Sequence, residues 1–223
     1  GHQVSILYIE HSRQPGLTLV ETWQGCRLYR ASAGAWHYYF HRATLGLTSL
    51  PVIIRSIEYA WALSRAVREI KTRDGLDLVE IPEVFITPRW LDGIPYTVRL
   101  HSSAWTWCEM LNEPRSAADA MSIRLEHYTL TRARAISSPS AMLSSYVRRR
   151  CRLGNRAIDL IPYPVDTAQF APGSKQDAPP LVFFAGRLER RKGADVLLHA
   201  IPRLLNRYPG CEFVFAGQVS GEM

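Results

Sequence analysis

Cysteine is scarce in this sequence, and lysine is scarcer still. The 223 residues include four cysteines that lie far apart and form no Cys-x-x-Cys pair. This spacing argues against a zinc site and a disulfide framework, and it predicts a reducing, cytoplasmic setting. The only lysines are Lys71, Lys175 and Lys192, although the formal net charge is +7. Arginine therefore supplies most of the positive charge. Because lysine is rare in this chain, a lysine within a loop raises the question of a specific role.

Several patterns that would assign a function quickly are also missing. No stretch reaches the ~18 apolar residues of a membrane span, since the nearest candidate, 45–63, contains Arg55 and Glu58. There is no G-x-G-x-x-G fingerprint, no zinc-finger spacing and no RNA-binding aromatic signature, so we expect no nucleic-acid partner. His37 and His41 have the spacing of two metal ligands on a helix, but the Glu of an H-E-x-x-H site and a third ligand are missing. We therefore expect no metal.

What the sequence does contain is an alternation of short β-branched runs with amphipathic stretches. This alternation is typical of βαβ units, so it predicts an α/β fold with parallel sheets. Pro139 is predicted to open the third helix, with Ser138 as its N-cap. Strands are predicted at 4–8, 26–29, 77–81, 96–100, 135–137, 157–161, 181–185 and 211–215, and helices at 52–71, 118–133, 139–150 and 194–207.

A proline-rich stretch divides the chain. Residues 162–180 hold five of the fourteen prolines, which cannot continue a helix or a central strand. We therefore predict a Rossmann-like domain at 1–161, a linker at 162–180 and the start of a second Rossmann-type domain at 181–223. One strand–helix–strand unit is too small to bury both faces of its sheet, so we expect the second domain to be truncated here.

The loop from Gly186 to Gly193 carries the strongest functional signal. It lies between a predicted buried strand and a predicted helix, where ligands bind in open α/β sheets and where helix N-termini favour anions. Arg187 can form a forked contact and Lys192 a compact point charge, so the loop is suited to a diphosphate. A solvated basic loop with no ligand is the alternative.

A second group of polar residues follows two other predicted strands. His101 ends the 96–100 strand, where it could bond a sugar hydroxyl, act as acid or base, or serve the structure alone. Glu83 ends the 77–81 strand and is expected either to accept bonds from substrate hydroxyls or to cap the next helix. Trp105 and Trp107, on a cleft-facing loop after Ser102, either stack on a sugar ring or pack in the core.

Two further charged features each allow two interpretations. Glu126, inside a predicted helix, either reaches the floor of the cleft or pairs with a neighbour such as Arg132. The basic run at 148–152 either contacts an anionic membrane or is a solvated face at a helix end.

Together these segments resemble the GT-B glycosyltransferases of family 4, the retaining group that includes bacterial cell-surface polysaccharide enzymes. Five motifs of the family occur here in order: a strand ending in Pro-Glu, a strand ending in histidine, a Glu-helix with a serine turn, an interdomain hinge and a donor loop. They correspond, in that order, to residues 77–83, residues 98–101, Glu126 with residues 135–140, residues 161–166 and residues 186–193. In the donor loop, the family's Arg and Lys stand five apart, as Arg187 and Lys192 do.

The resemblance implies a GT-B-like fold and a transferase that takes sugar from a nucleoside-diphosphate sugar without a metal or other cofactor. Gly186, Arg187 and Lys192 would bind the donor diphosphate, and His101 would lie near the transferred sugar. A saccharide or lipid-linked acceptor would bind the first domain near Glu83, Ser102 and Trp105. The implied setting is the cytoplasm or the inner face of the cell membrane, in cell-surface polysaccharide or glycolipid synthesis.

The sequence also departs from the family pattern. The family's opening strand and glycine-rich loop are expected before Gly1, and its paired glutamates after Met223, so residues 1–223 alone are expected to lack transferase activity. The hinge has Tyr163-Pro164 where many members have Asn-Gly. Two alternatives are a nucleotide-sugar epimerase on the same fold and a non-catalytic, transferase-like binding module.

Overall fold

The computed structural model describes residues 2–11, 16–34, 39, 42, 50–83, 91, 93–111, 116–171 and 179–219. The chain divides into two compact units, Gly1–Tyr163 and Pro164–Met223. The first unit contains β1 (Ser5–His11), β2 (Leu17–Trp23), β3 (Cys26–Ala33), α1 (Leu50–Asp74), β4 (Val79–Pro82), β5 (Tyr96–Arg99), α2 (Ala104–Leu111), α3 (Ala117–Arg132), β6 (Ala135–Ser138), α4 (Ala141–Arg150) and β7 (Asp159–Leu160). The second contains β8 (Leu181–Ala185), a 3₁₀ turn (Arg190–Lys192), α5 (Ala194–Arg207) and β9 (Glu212–Ala216).

The strands form three sheets within these units. In the first unit, β4-β5-β6-β7 is entirely parallel, while in β1-β3-β2 the first pair is parallel and the second antiparallel. In the second unit β8 and β9 pair in parallel around α5. Parallel neighbours need a crossover connection, and helices supply it between β5 and β6, between β6 and β7, and between β8 and β9. The predicted α/β fold with parallel sheets is confirmed.

A β-hairpin at the start of the chain was missed. β2 runs antiparallel to β3, and Gln24 and Gly25 between them have φ of 47° and 80°. Two consecutive left-handed residues are what a two-residue hairpin turn of type I′ requires. The pair Gln-Gly is a weaker signal for this turn than Asn-Gly or Asp-Gly, so the pattern of the sequence did not reveal it.

The core of the first unit lies around β5 and β6. Val98 of β5 and Ile136 of β6 are fully buried. The same cluster contains Leu130 of α3, Val147 of α4, and Leu63 and Val67 of α1. β5 buries Tyr96 and Val98 on one face, while Thr97 and Arg99 on the other face are only partly buried.

The helix after β6 begins later than predicted, and its predicted cap was wrong. Ser140, not Ser138, is the N-cap, and its Oγ accepts a bond from the Leu143 amide at 3.2 Å. Ser138 is fully buried at the end of β6, where its Oγ donates to the Ser140 carbonyl at 2.9 Å. Pro139 therefore connects the strand to the cap instead of opening the helix.

The end of α1 is tied to β3 through Asp74. The Asp74 carboxylate accepts a bond from the Tyr29 hydroxyl and forms an ion pair with Arg27 at 2.7 Å. These contacts, the Tyr29 bond foremost, hold the pKa of Asp74 below its ordinary value of 3.8. The ionised carboxylate thus joins the long helix to the sheet below it.

The second unit has one packed face and one open face. On the face toward the interior, the rings of Phe184 and Phe215 lie 5.7 Å apart between centroids. On the opposite face, Leu181, Phe183 and Val214 are between 43% and 60% exposed. Among the described residues of the whole chain, no helix is long and apolar enough to cross a bilayer.

Candidate functional site

Glu83 fixes the loop that carries His101. Its two carboxylate oxygens accept the backbone N–H of His101 at 2.8 and 3.0 Å, and one of them also accepts the N–H of Ser102 at 2.5 Å. Glu83 is fully buried. The carboxyl ends of parallel neighbours β4 and β5 meet at one edge of the sheet, which is why the two segments come together. The helix that Glu83 was expected to cap would fall in 84–90, outside the described residues.

His101 itself is exposed, and Tyr163 orients it. The Tyr163 hydroxyl lies 2.7 Å from Nδ1 of the imidazole, and the two rings stack with centroids 6.1 Å apart. This bond engages Nδ1, so Nε2 is the ring nitrogen that remains for a ligand. Tyr163 was not predicted as a site residue. The available signal was its place in the hinge, where the resembling family commonly has asparagine.

Arg99 also contacts Tyr163. Its guanidinium carbon lies 5.1 Å from the centroid of the Tyr163 ring, and it donates to the Ile161 carbonyl at 2.9 Å. It also reaches Ser137 Oγ at 3.4 Å. Arg99, Ser137 and Ile161 come from β5, β6 and the residue after β7, so one side chain links three strand ends.

The prediction that Trp105 and Trp107 lie on a loop was wrong. Residues 104–111 form α2, and Ser103 caps it by accepting a bond from the Thr106 amide at 3.1 Å. Trp105 is half-buried against the core, and the Arg150 guanidinium lies 5.6 Å from its ring centroid. This arrangement corresponds to the packing alternative for Trp105, while the Trp107 side chain lies outside the described part of the chain.

Glu126 is buried in α3, near Cys151. Burial, together with the nearby Glu126 charge, raises the pKa of the Cys151 thiol to about 12. The thiol is therefore protonated at neutral pH and is unsuited to act as a nucleophile.

In the second unit, two glycines shape the loop after β8. Gly186 has φ of 147°, and its amide donates to the Ala216 carbonyl at 2.9 Å. A Cβ atom on Gly217 would lie 1.9 Å from the Gly186 carbonyl oxygen, so only glycine permits this approach. The Leu188 amide extends the contact by donating to the Gln218 carbonyl at 2.9 Å.

This loop presents cations beside a helix N-terminus. Arg187 is 55% exposed and lies 3.5 Å from the carboxylate of Glu189, which is largely buried. Lys192 is exposed at the end of the 3₁₀ turn, and Gly193, with φ of 73°, leads directly into α5. Exposed Arg and Lys next to the free amides of a first helical turn form an arrangement that binds phosphate groups.

No group of three or more His, Cys, Asp or Glu residues that could hold a metal ion is found within the described ranges. His37 and His41 lie outside those ranges, so their predicted lack of a metal stays a prediction.

Residues 165–223 match the family model "Glycosyl transferases group 1". The chain is also 37% identical over 70 residues to a phosphatidylinositol N-acetylglucosaminyltransferase component of Arabidopsis thaliana. It is 34% identical over 73 residues to D-inositol 3-phosphate glycosyltransferase of Segniliparus rotundus. These alignments cover 30% and 29% of this chain and 16% of each relative, so the chain spans about a sixth of the curated relatives it matches.

Proposed function

We propose that this protein transfers a sugar from a nucleoside-diphosphate sugar to a saccharide or lipid-linked acceptor, with retention of configuration. The observation that supports this most is the loop from Gly186 to Gly193. It lies inside the segment that matches the glycosyltransferase family, and it carries exposed cations at a helix N-terminus.

In this proposal the loop stabilises the leaving group. As the bond to the sugar breaks, negative charge develops on the nucleoside diphosphate. Arg187 can give a forked contact to the phosphate oxygens, Lys192 a point charge, and the first turn of α5 its amides. The chain needs no metal for this role, because these groups already supply positive charge.

The first unit is proposed to hold the acceptor and the transferred sugar. His101 would contact sugar hydroxyls or phosphate through Nε2, since its Nδ1 is engaged by Tyr163. Ser102 lies in the same braced loop and is an acceptor-side candidate. Glu83 serves this site indirectly by placing both residues, and Trp105 does so by packing α2 against the core.

The acceptor and the cellular setting are the finer parts of the proposal. We propose a role in cell-surface polysaccharide or glycolipid synthesis in the cytoplasm, at the inner face of the membrane. The exposed side chains of Arg148, Arg149 and Arg152 support docking on anionic lipid. Because the names of both relatives include inositol, inositol phosphates and phosphatidylinositol belong among the acceptors to be tested.

The test is product analysis with protein expressed from its natural gene. It is incubated with UDP-, GDP- and ADP-sugars, with and without saccharide, inositol phosphate and lipid acceptors, in the presence of EDTA. We expect transfer only when acceptor is present, and NMR of the product should show the anomeric configuration of the donor. An altered sugar nucleotide formed from donor alone would indicate an epimerase instead, and no reaction in any mixture would favour a binding module.

Membrane docking has its own test. Sedimentation with vesicles of phosphatidylglycerol and phosphatidylcholine should pellet the wild-type protein, and vesicles of phosphatidylcholine alone should not. The double variant Arg148→Glu, Arg149→Glu should stay in solution with both. Equal recovery of the two proteins in the supernatant would end this part of the proposal.

A further inference from the structure

Glu189 is a largely buried carboxylate inside a basic loop. The residue is 8% exposed, and its backbone is extended, with φ of −143° and ψ of 153°. A charged side chain is rarely buried unless it pairs with an opposite charge. Such a pair is present, since the Arg187 guanidinium lies 3.5 Å from Oε1 of Glu189. Glu189 therefore forms part of the surroundings of Arg187, which the proposed function assigns to the diphosphate.

The backbone is fixed on both sides of Glu189. On the amino side, the Leu188 amide donates to the Gln218 carbonyl at 2.9 Å, and Leu188 forms a parallel bridge with Val219. On the carboxyl side, the Glu189 carbonyl accepts a bond from the Lys192 amide at 3.0 Å, which closes the 3₁₀ turn. Glu189 thus combines a fixed backbone with a covered side chain.

Arg187 is the exposed partner of this pair. Its side chain is 55% exposed, whereas that of Glu189 is 10% exposed. A long exposed side chain can adopt many rotamers and a buried one few, so the carboxylate determines where the guanidinium lies. Nη2 of Arg187 is the nitrogen that faces Glu189. Because a guanidinium carries several N–H donors in one plane, it can contact this carboxylate and a second anion at the same time.

The charge of Glu189 has two opposing effects on an anionic ligand. It repels phosphate directly, and it holds Arg187 in one orientation. The repulsion acts across the guanidinium and along the exposed side of the loop, where solvent screens it. A forked contact between arginine and phosphate is short-ranged and requires the right orientation of the guanidinium plane. We therefore expect the second effect to be larger than the first.

We propose that Glu189 is the positioning residue of Arg187, and that it holds the guanidinium in the orientation that binds a nucleoside diphosphate. This inference rests on the proposed function, because it concerns the same diphosphate site. Glu189 acts only through Arg187 and does not contact the ligand. The ion pair persists when the nucleotide binds, since the buried carboxylate and the phosphate contact different N–H groups of the same side chain.

The test is a double-mutant cycle on protein expressed from its natural gene, with UDP affinity measured by titration calorimetry. Glu189→Gln keeps the size of the side chain and removes its charge, on which a contact of 3.5 Å mainly depends. We expect the Kd for UDP to rise about threefold. In the Arg187→Ala background, Glu189→Gln should not raise the Kd further, because no guanidinium is left to hold. Glu212→Gln, on an exposed carboxylate at the start of β9, is the control and should bind as the wild type does.

A second measurement needs no Glu189 variant and so does not depend on whether that variant folds. In NMR spectra of wild-type protein with ¹⁵N-labelled arginine, the Arg187 signals are those missing from Arg187→Ala. We expect separate Nη signals for Arg187, which indicate hindered rotation of its guanidinium, both without and with UDP. A guanidinium that rotates freely without UDP would contradict the proposal.

The calorimetric results separate this inference from the proposed function. Tighter binding by Glu189→Gln would mean that repulsion dominates, and an equal rise in Kd with and without Arg187 would mean that Glu189 supports the whole loop. Either result overturns the inference. If Arg187→Ala weakens binding but Glu189→Gln does not, the diphosphate site stands and only the inference falls. If Arg187→Ala binds UDP as the wild type does, the proposed diphosphate site fails, and the inference fails with it.

Discussion

The hydroxyl oxygen of Tyr163 lies 2.7 Å from Nδ1 of His101, and the two rings stack at an angle of 22°. The two residues are far apart in sequence: His101 follows β5, and Tyr163 follows β7. Since Glu83 fixes the backbone of His101 and Tyr163 fixes its ring, the imidazole is constrained at both ends. A group that must meet a ligand in one orientation benefits from this constraint.

The variant Tyr163→Phe should lower the transfer rate without unfolding the protein. It removes the bond to Nδ1 but keeps the stacked ring. A neutral hydrogen bond contributes about 1 kcal/mol, so kcat/KM of the natural gene product should fall about fivefold. Tyr208→Phe, on an exposed tyrosine of the second unit, is the control and should leave kcat/KM unchanged. Equal rates for both variants would show that the Nδ1 bond does not matter.

The variant Glu83→Gln should destabilise the first unit. The neutral amide has one acceptor oxygen where the carboxylate has two, and its NH₂ group faces the N–H donors of His101 and Ser102. A buried, charge-assisted set of bonds of this kind is worth about 2 kcal/mol, or about 6 °C in Tm. Calorimetry checks this. Glu80→Gln, on an exposed carboxylate three residues earlier, should shift Tm by less than about 1 °C.

The variants Arg187→Ala and Lys192→Ala should each weaken the binding of UDP or GDP. Removing one charged contact to a phosphate costs about 1.5 kcal/mol, so each Kd should rise about tenfold in titration calorimetry. Added salt should weaken wild-type binding more than binding by the variants. Arg203→Ala, on the exposed side of α5, is the control and should bind as the wild type does. If all three variants bind alike, the loop is not the diphosphate site.

The variant Gly217→Ala should displace the loop from Gly186 to Gly193, although position 217 lies outside it. Its Cβ would meet the Gly186 carbonyl oxygen at 1.9 Å, so the loop must move. We expect a loss of about 2 kcal/mol of stability and weaker nucleotide binding. Gly210→Ala is a matched control, because a Cβ there has nothing within 4 Å. Denaturant unfolding of the two variants separates the clash from a general effect of losing glycine.

The variant Tyr29→Phe should make the protein's stability less sensitive to acid. The pKa of Asp74 is lowered mainly by the Tyr29 bond, so its contribution is present above 3.8 and is lost as pH falls through the lower folded value. Without the hydroxyl, the pKa of Asp74 in the folded protein moves back toward 3.8. The free energy of unfolding then falls less steeply as the pH is lowered below that value. Urea midpoints between about pH 5 and pH 2 measure this slope. Tyr128→Phe, away from Asp74, should keep the wild-type slope.

The sequence revealed the regular elements better than the contacts between them. The strand at 181–185 and the helix at 194–207 were predicted with the observed bounds, because their apolar periodicity is strong and glycines flank them. The cap of α4 was assigned to the wrong serine, since Ser138 and Ser140 are equally good caps by composition. Only the structure shows that Ser138 is the last residue of β6 and that its hydroxyl bonds to the Ser140 carbonyl.

The site was harder to predict because its bonds join distant residues. The end of a strand indicated that Glu83 and His101 share an edge, but nothing local showed that the carboxylate bonds to backbone N–H groups. Trp105 was placed on a loop because a short helix of eight residues has little periodicity to detect. Tyr163 was missed because proline-rich surroundings suggested only a linker.

Arg99 gives the sheet edge a property that matters for the energetics of association. By bonding to the Ile161 carbonyl, stacking on Tyr163 and reaching Ser137, it joins the ends of neighbouring strands before any ligand arrives. Conformational freedom that is already restricted in the unbound protein is not lost again on binding. A ligand that binds here therefore meets a preorganised surface, and its affinity need not be reduced by the cost of ordering that surface.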